Sequence, residues 1–231
     1  MRTAAVLPIK SFGRAKQRLR AAVAQPGRAD LAAAMVGDVL AALGRVPGLD
    51  DLVVVTAEPR AAAAARTDGA HVVHDPAETG QSDAAALGVA AALARGAERA
   101  LLVPGDCPAL DPREVAALLA SATGPADTAG PTPAGRGGTV VIVPDRHGTG
   151  TNALLLSPPR AIAPAFGPGS FARHRARAAA AGAAVRIAAA PSLELDVDTP
   201  GDLAALRAAL DRRPHAAPRT RALLARIAAA A

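Results

Sequence analysis

Short apolar runs, several rich in β-branched residues, alternate along this chain with stretches of helical periodicity, and that alternation restricts the fold more than any other feature. Asp51-Leu-Val-Val-Val-Thr56 carries apolar side chains on both faces, the pattern of a strand covered on both sides. The segment up to Ile9 and the run Ala100–Val103 read the same way. Leu31, Met35, Val39 and Leu43 recur at helical spacing and predict a helix over 28–43. Further helices are expected over 17–24, 58–66, 80–95 and 112–120, with Asp111 as N-cap of the last and Pro112 at its first position. With a strand over 70–74, this order describes βαβ units and predicts an α/β fold with a largely parallel sheet.

The second half is more mixed. Residues 121–138, rich in Gly, Pro, Ala and Thr, read as a surface insertion. Strands over 139–143 and 151–156 flank a short polar turn and suit an antiparallel hairpin. A helix capped by Ser170 should run to about Ala181, followed by a strand over 185–187. Leu193-Glu-Leu195 reads as extended, so Asp196 and Asp198 are expected just past a strand end, before a helix reaching Leu210. We expect one domain over 1–213 and an Ala/Arg-rich tail over 214–231.

A chain of 231 residues is long enough for a single sizeable core. It has no Trp or Tyr, so that core must rest on Leu, Val, Ile and Ala. The net charge of +6 admits nucleic acid as a partner, but the aromatic side chains on which single-stranded bases stack are scarce. The Ala, Arg, Gly and Pro excess also suggests a GC-rich genome, in which Arg simply replaces Lys. Small-molecule chemistry is favoured over nucleic-acid binding. Cys107 is the sole cysteine, which excludes an intrachain disulfide and fits a reducing compartment. With no secretory pattern and no window of membrane-spanning character, a cytoplasmic protein is expected. Ala-rich helix faces are compatible with a homodimer without specifying one.

Three constellations carry chemistry. The first is Leu7-Pro-Ile-Lys10 through Gly13-Arg14-Ala-Lys16 to Arg18-Leu19. Of 26 Lys and Arg residues only Lys10 and Lys16 are lysines, and both lie in this loop. A strand, a Gly-bearing loop and a helix start present backbone N–H groups to a phosphate, and an ammonium reaches it as a point charge. The alternative is a basic, solvated turn. The second is acidic: Asp106, after the 101–103 strand, with Asp196 and Asp198, whose spacing in extended backbone puts both carboxylates on one side. Such oxygen ligands suit Mg²⁺ beside substrate phosphates; alternatively, Asp106 is a turn residue and Asp198 a helix cap. The third is His147-Gly-Thr-Gly-Thr-Asn152 with Gly167 and Ser170, which offer donors to a second anionic substrate or form an ordinary hairpin and cap. Gly80-Gln81-Ser82-Asp83 opens a helix and either meets a base or ribose or merely caps that helix. His71 and His74 read as structural, Cys107 as a small packed side chain, and the three Phe residues as pins for loops.

In combination, Leu7-Pro-Ile-Lys10, Gly13-Arg-Ala-Lys16, Arg18-Leu19, Pro104-Gly-Asp106-Cys-Pro108, Gly148-Thr-Gly-Thr-Asn152, Phe166-Gly167, Ser170 and Asp196-Val-Asp-Thr-Pro200 resemble the 2-phospho-L-lactate guanylyltransferase family, whose bacterial members are also described as phosphoenolpyruvate guanylyltransferases. The resemblance runs from about Val6 to Leu210; Pro104-Gly-Asp106-Cys107 departs from an Ala-Asp-Leu-Pro common in relatives, and the 121–138 stretch is long. It implies a single-domain nucleotidyltransferase fold of the glycosyltransferase-A type, with a mixed, mostly parallel sheet flanked by helices. The implied reaction joins GTP to a small phosphorylated acid with release of pyrophosphate, in the biosynthesis of coenzyme F-420, with neither nucleic acid nor membrane as partner. On that basis Lys10, Gly13, Arg14 and Lys16 are expected at the GTP phosphates, with Arg14, Lys16 and Asp106 catalytic. Gln81 and Asp83 are expected at the nucleotide base, Asp106, Asp196 and Asp198 at Mg²⁺, and Thr151, Asn152, Gly167 and Ser170 at the acid. Rival readings are a molybdenum-cofactor guanylyltransferase, a sugar-phosphate cytidylyltransferase, or a basic nucleic-acid-binding protein.

Overall fold

A computed structural model describes residues 1–14, 16–20, 23, 27–122 and 137–229, and of Arg14 only the backbone. The strands are β1 (Thr3–Ile9), β2 (Asp51–Thr56), β3 (His71–His74), β4 (Arg99–Leu102), β5 (Thr139–Pro144), β6 (Thr151–Ser157) and β7 (Ala184–Ile187). The helices are α1 (Gly27–Leu43), α2 (Pro59–Thr67), α3 (Gln81–Ala94), α4 (Pro112–Ser121), α5 (Ser170–Ala180), α6 (Pro191–Glu194), α7 (Pro200–Arg212) and α8 (Pro218–Ala229). One sheet takes all seven strands in the order β3-β2-β1-β4-β6-β5-β7. The β1–β2, β2–β3, β1–β4 and β5–β7 pairs are parallel; β6 runs antiparallel to both β4 and β5. The expected mixed, mostly parallel sheet and the 139–156 hairpin are both present.

Strand periodicity sorts the core into two layers. Ala5, Leu7 and Ile9 of β1, Leu52 and Val54 of β2, and Leu101 of β4 face α1, α2 and α4. Ala4 and Val6, Val53 and Val55, and Ala100 and Leu102 face the opposite side, against α3 and α5. Small residues let α3 lie close to the sheet: a Cβ on Gly88 would stand 2.2 Å from Val6 Cγ1. Gly88 therefore sets the depth of α3, and with it the position of Gln81 at the helix start.

Three local expectations change. The 17–24 helix is a 3-10 turn over Gln17–Leu19, and most of the remainder lies outside the described residues. Leu193–Leu195 is not a strand: Pro191 opens the one-turn α6, which Glu194 closes by accepting from the Ala190 N–H at 3.1 Å. Asp196 therefore follows a helix rather than a strand. The N-cap of α5 is Gly169, at φ 72°, and Ser170 is its first helical residue. The 121–138 reading falls mostly on 123–136, outside the described residues.

The last segment packs onto the body. Asp38 of α1 is buried and caps α8, accepting from Arg219 N at 3.1 Å and Thr220 N at 2.8 Å. Leu223 and Leu224 of α8 join Leu31 and Met35 of α1 and Leu203, Leu206 and Leu210 of α7 in a third apolar cluster. That cluster also takes Leu19, Ala109 and Val197, close neighbours of Lys16, Asp106 and Asp198. Helices α7 and α8 thus back three chain segments that carry charged groups. Leu224→Ala is expected to lower stability by about 2–4 kcal/mol, as for other buried leucines, measured by denaturant unfolding; a change below about 0.5 kcal/mol would mean that α8 is not part of the cooperative core.

Candidate active site

The four parallel strands end on one edge of the sheet. Strand β1 lies between β2 and β4, so the connections leave it in opposite directions and open a crevice at the C-terminal ends of β1 and β4. A cavity of about 300 Å³ opens there, lined by Lys10 and Lys16 from the loop after β1, Asp75, Glu78 and Gln81 from the β3–α3 connection, Asp106 after β4, and Asp198.

Lys16 is the centre of the charge arrangement. Its backbone is left-handed, at φ 56°, which turns the side chain inward, and its side chain is 7% exposed. Nζ donates to Asp106 Oδ2 at 2.6 Å and to Asp198 Oδ1 at 3.0 Å. Burial alone would lower the ammonium pKa, but the two carboxylates outweigh it and hold Lys16 above its ordinary value, so it stays cationic. Asp198 is free to face Lys16 because the cap of α7 is its neighbour Thr199, which forms a capping box with Asp202. Val197 is fully buried and its N–H donates to the Asp106 carbonyl at 3.1 Å, fastening the two acidic segments together.

Asp106 uses only one carboxylate oxygen this way; Oδ1 is buried and, among the described residues, has no hydrogen-bond partner. Asp196 lies close enough for its carboxyl to be pushed up, first by burial and then by the charges of Asp106 and Asp198, against an opposing hydrogen bond from Asn152 Nδ2 at 3.1 Å. Three carboxylates and one ammonium leave local negative charge and an orphaned oxygen, a donor set that suits a hard divalent cation. Among the described residues no three His, Cys, Asp or Glu side chains are grouped to hold a metal ion by themselves, so a cation here would share its shell with substrate oxygens. Cys107 is fully buried, its thiol is pushed up by burial, and Sγ contacts the Leu193 carbonyl at 3.4 Å, so it packs rather than reacts.

The other half of the site is built by β6 and α5. Between β5 and β6, Asp145 folds the turn on itself, accepting from His147 N and Thr149 N, which uses Thr149 internally. Thr151 and Asn152 follow on β6, both 7% exposed, and Asn152 joins this half to Asp196. Gly167 and Gly169 take positive φ, 103° and 72°, in the connection to α5. The amides at the start of α5 are less open than the sequence suggested: Ser170 N donates to Gly167 O and Phe171 N to Thr149 O.

Other expected residues scatter. Lys10 is exposed at the cavity mouth, and Gln81 lines the wall. Asp83 is exposed and not among the lining residues. Gly13 is exposed, and a Cβ there would meet open space. The Arg14 side chain lies outside the described residues. Two amides of the loop after β1, expected to face phosphate, instead meet carboxylates: Ser11 N donates to Glu78 Oε1 at 2.7 Å and Phe12 N to Glu58 Oε2 at 2.9 Å. Sequence reasoning missed Asp75, Glu58 and Glu78. Glu58 was visible only as the residue before Pro59 that caps α2.

It also missed His174, which is fully buried and four residues past Ser170, an i,i+4 spacing that puts both on one helix face. Burial, with Arg177 and Arg173 adding to it, lowers its pKa from 6.5 to about 4. The unfolded chain therefore takes up a proton between pH 6.5 and 4 that the native state refuses, so stability falls as pH drops through that window. The depression corresponds to about 3 kcal/mol. Urea unfolding of the wild type should lose about that much more than His174→Gln on going from pH 6.5 to 4; parallel losses would place the titration elsewhere.

The crevice thus sets a buried lysine between two aspartates at the C-terminal edge of a mixed, mostly parallel sheet. A solved structure from Desulfovibrio desulfuricans G20, described as a nucleotide-diphospho-sugar transferase, has this fold with a TM-score of 0.73, 18% identity, and coverage of 99% of this chain and 96% of that one. The chain belongs to the family described as guanylyl transferase CofC like, whose model matches residues 3–208. It is 48% identical, over 97% of its own length and 96% of the relative's, to the phosphoenolpyruvate guanylyltransferase of Conexibacter woesei. It is 37% identical to the enzyme of the same name from Sphaerobacter thermophilus, over 89% of this chain and 93% of that one. Among the described residues no helix is long and apolar enough to cross a membrane.

Proposed function

We propose that this chain joins GTP to phosphoenolpyruvate or a similar phosphorylated three-carbon acid, releasing pyrophosphate, as a step in the assembly of coenzyme F-420. The observation that carries the reading is the Lys16–Asp106–Asp198 cluster at the crevice, linked through Asp196 and Asn152 to the donors of β6 and α5. The 48% identity to a phosphoenolpyruvate guanylyltransferase supports it.

A phosphate oxygen of the acid forms a bond to the α-phosphorus of GTP. The bond from that phosphorus to the β-phosphate oxygen breaks, and pyrophosphate leaves with the electron pair. Both reactants are anions, so the protein's work is alignment and charge neutralisation. Lys16 offers a fixed ammonium to the phosphates, with Lys10 at the mouth. Asp106, with Asp198 and Asp196, would hold Mg²⁺, which when bound offsets phosphate charge; the buried partnerless Asp106 Oδ1 fits that role. Thr151, Asn152, Gly167 and Ser170 receive the acid. Guanine presents N1–H and an amino group, which need acceptors. Gln81, Asp75 and Glu78 supply them on one wall.

A pyrophosphate-release assay crossing GTP, CTP and ATP with phosphoenolpyruvate, 2-phospho-L-lactate, 3-phosphoglycerate and a sugar phosphate tests the reading. Release should require GTP and a phosphorylated three-carbon acid. Release with CTP and a sugar phosphate, or steeply salt-dependent nucleic-acid binding without any release, would replace it.

A further inference from the structure

His174 touches every element that the proposed acid subsite uses. Its Nδ1 lies 2.9 Å from Thr151 Oγ1 on β6, and its Nε2 lies 2.8 Å from the backbone nitrogen of Ala165. The edge of the Phe166 ring, one residue before Gly167, meets it at 5.2 Å between centroids and 75° between planes. The connection 163–168 is tied to α5 by neighbouring side chains as well. Arg173 donates to the carbonyls of Ala165, Phe166 and Pro168, and Arg177 to those of Ala163 and Pro164.

These contacts determine where the imidazole proton sits. A backbone N–H can only donate, so Nε2 must be the bare, accepting nitrogen. The proton is then on Nδ1, and Nδ1–H donates to Thr151 Oγ1. The Thr151 hydroxyl thus spends a lone pair on His174 and keeps its own proton. Among the described residues no other side chain or backbone group shares a hydrogen bond with that hydroxyl. Among the described residues no carboxylate acts on the ring to favour a second proton; the charged groups that do act on it, Arg177 and Arg173, oppose one.

We infer that His174 is a positioning residue: held as the neutral Nδ1–H tautomer by the Ala165 amide, it makes the Thr151 hydroxyl an obligate donor to the anionic oxygens of the phosphorylated acid. The inference rests on the proposed acid subsite and adds to it the residue that sets the direction of its hydroxyl. A threonine left to rotate would accept as readily as it donates, and would face an anion with a lone pair for part of the time. His174 acts on the acid and not on the nucleotide, because its contacts are to β6 and the 163–170 segment and none is to the cavity lined by Lys16 and Gln81.

Two substitutions separate the ring's two hydrogen bonds. In His174→Asn the amide nitrogen can stand near Nδ1 and still donate to Thr151. In His174→Gln the amide oxygen can stand near Nε2 and accept from Ala165, but the donor to Thr151 is gone. With GTP and phosphoenolpyruvate, His174→Gln should raise KM for the acid about 2- to 5-fold, the cost of orienting a hydroxyl otherwise free to rotate among its staggered wells, and leave KM for GTP unchanged. Thr151→Val, which removes the hydroxyl itself, should raise it further, about 10- to 100-fold, and the double variant should be no worse than Thr151→Val alone. His174→Asn should recover most of the affinity for the acid. Nitrogen NMR shifts of His174 in the wild type should show a protonated Nδ1 and a bare Nε2. Equal damage by Asn and Gln, additive losses in the double variant, KM for GTP rising in parallel, or a proton on Nε2 would each overturn the inference. A wild type that releases no pyrophosphate from GTP with any phosphorylated three-carbon acid defeats the functional reading itself, and the inference with it. An active wild type with unchanged KM in His174→Gln defeats the inference alone.

Discussion

Replacing Lys16 with alanine is expected to lower turnover by about 10²- to 10³-fold, the usual loss when one preorganised charge is removed from a transition state. The side chain is almost wholly buried between Asp106 and Asp198, and among the described residues no other cation pairs with either carboxylate. Without the ammonium, the two carboxylates face each other and the incoming phosphates with no counter-charge. Lys16→Arg keeps the charge and should still lose on the order of 10²-fold, because a planar guanidinium is larger than the space at a left-handed residue with a 7% exposed side chain. Arg18→Lys, on the 3-10 turn two residues on and exposed, is the control and should be mild. Steady-state kinetics with circular dichroism to confirm folding would decide. Wild-type turnover in both Lys16 variants would reduce the Lys16 cluster to a structural ion pair.

Asp106→Asn should be comparably damaging, on the order of 10²- to 10³-fold in turnover, while the fold persists. The amide is nearly the shape of the acid and its oxygen can still accept from Lys16, but it has no charge for a divalent cation. Lys16 also keeps Asp198, so the contacts that join the three segments survive the substitution. Binding of Mn²⁺ in the presence of GTP, followed by electron paramagnetic resonance, gives a readout apart from turnover and should weaken with the activity. Asp198→Asn should follow the same course, less steeply, since its side chain is 47% exposed and water can replace part of it. Asp83→Asn, outside the crevice, should change neither activity nor metal affinity. An Asp106→Asn variant with unaltered Mn²⁺ affinity and normal turnover would remove the metal role from this residue.

The same two sites show why the crevice needs its supports. Leu19, Ala109 and Val197 fix the three segments that bring Lys16, Asp106 and Asp198 together, and α7 and α8 close over them. A substitution in that cluster therefore reaches the chemistry through geometry, without touching a substrate.

Much of the architecture was legible in the order of residues. The β2 run, the α1 spacing, Asp111 with Pro112 at the head of α4, and the hairpin over 139–157 all formed where local pattern placed them. Those features depend on backbone preferences and on which face of one element is apolar, and both are written within a few neighbouring residues. What only the tertiary structure decided are pairings across long separations. Lys16 meets Asp106 and Asp198 across 90 and 182 residues, Glu58 and Glu78 reach the amides after β1, and Asp38 caps α8. The tautomer of His174 depends on which donor the 165–170 turn carries to it. Each of these follows from which strands became neighbours and how deeply each side chain was buried, and neither quantity exists until the sheet has closed over both faces of its core.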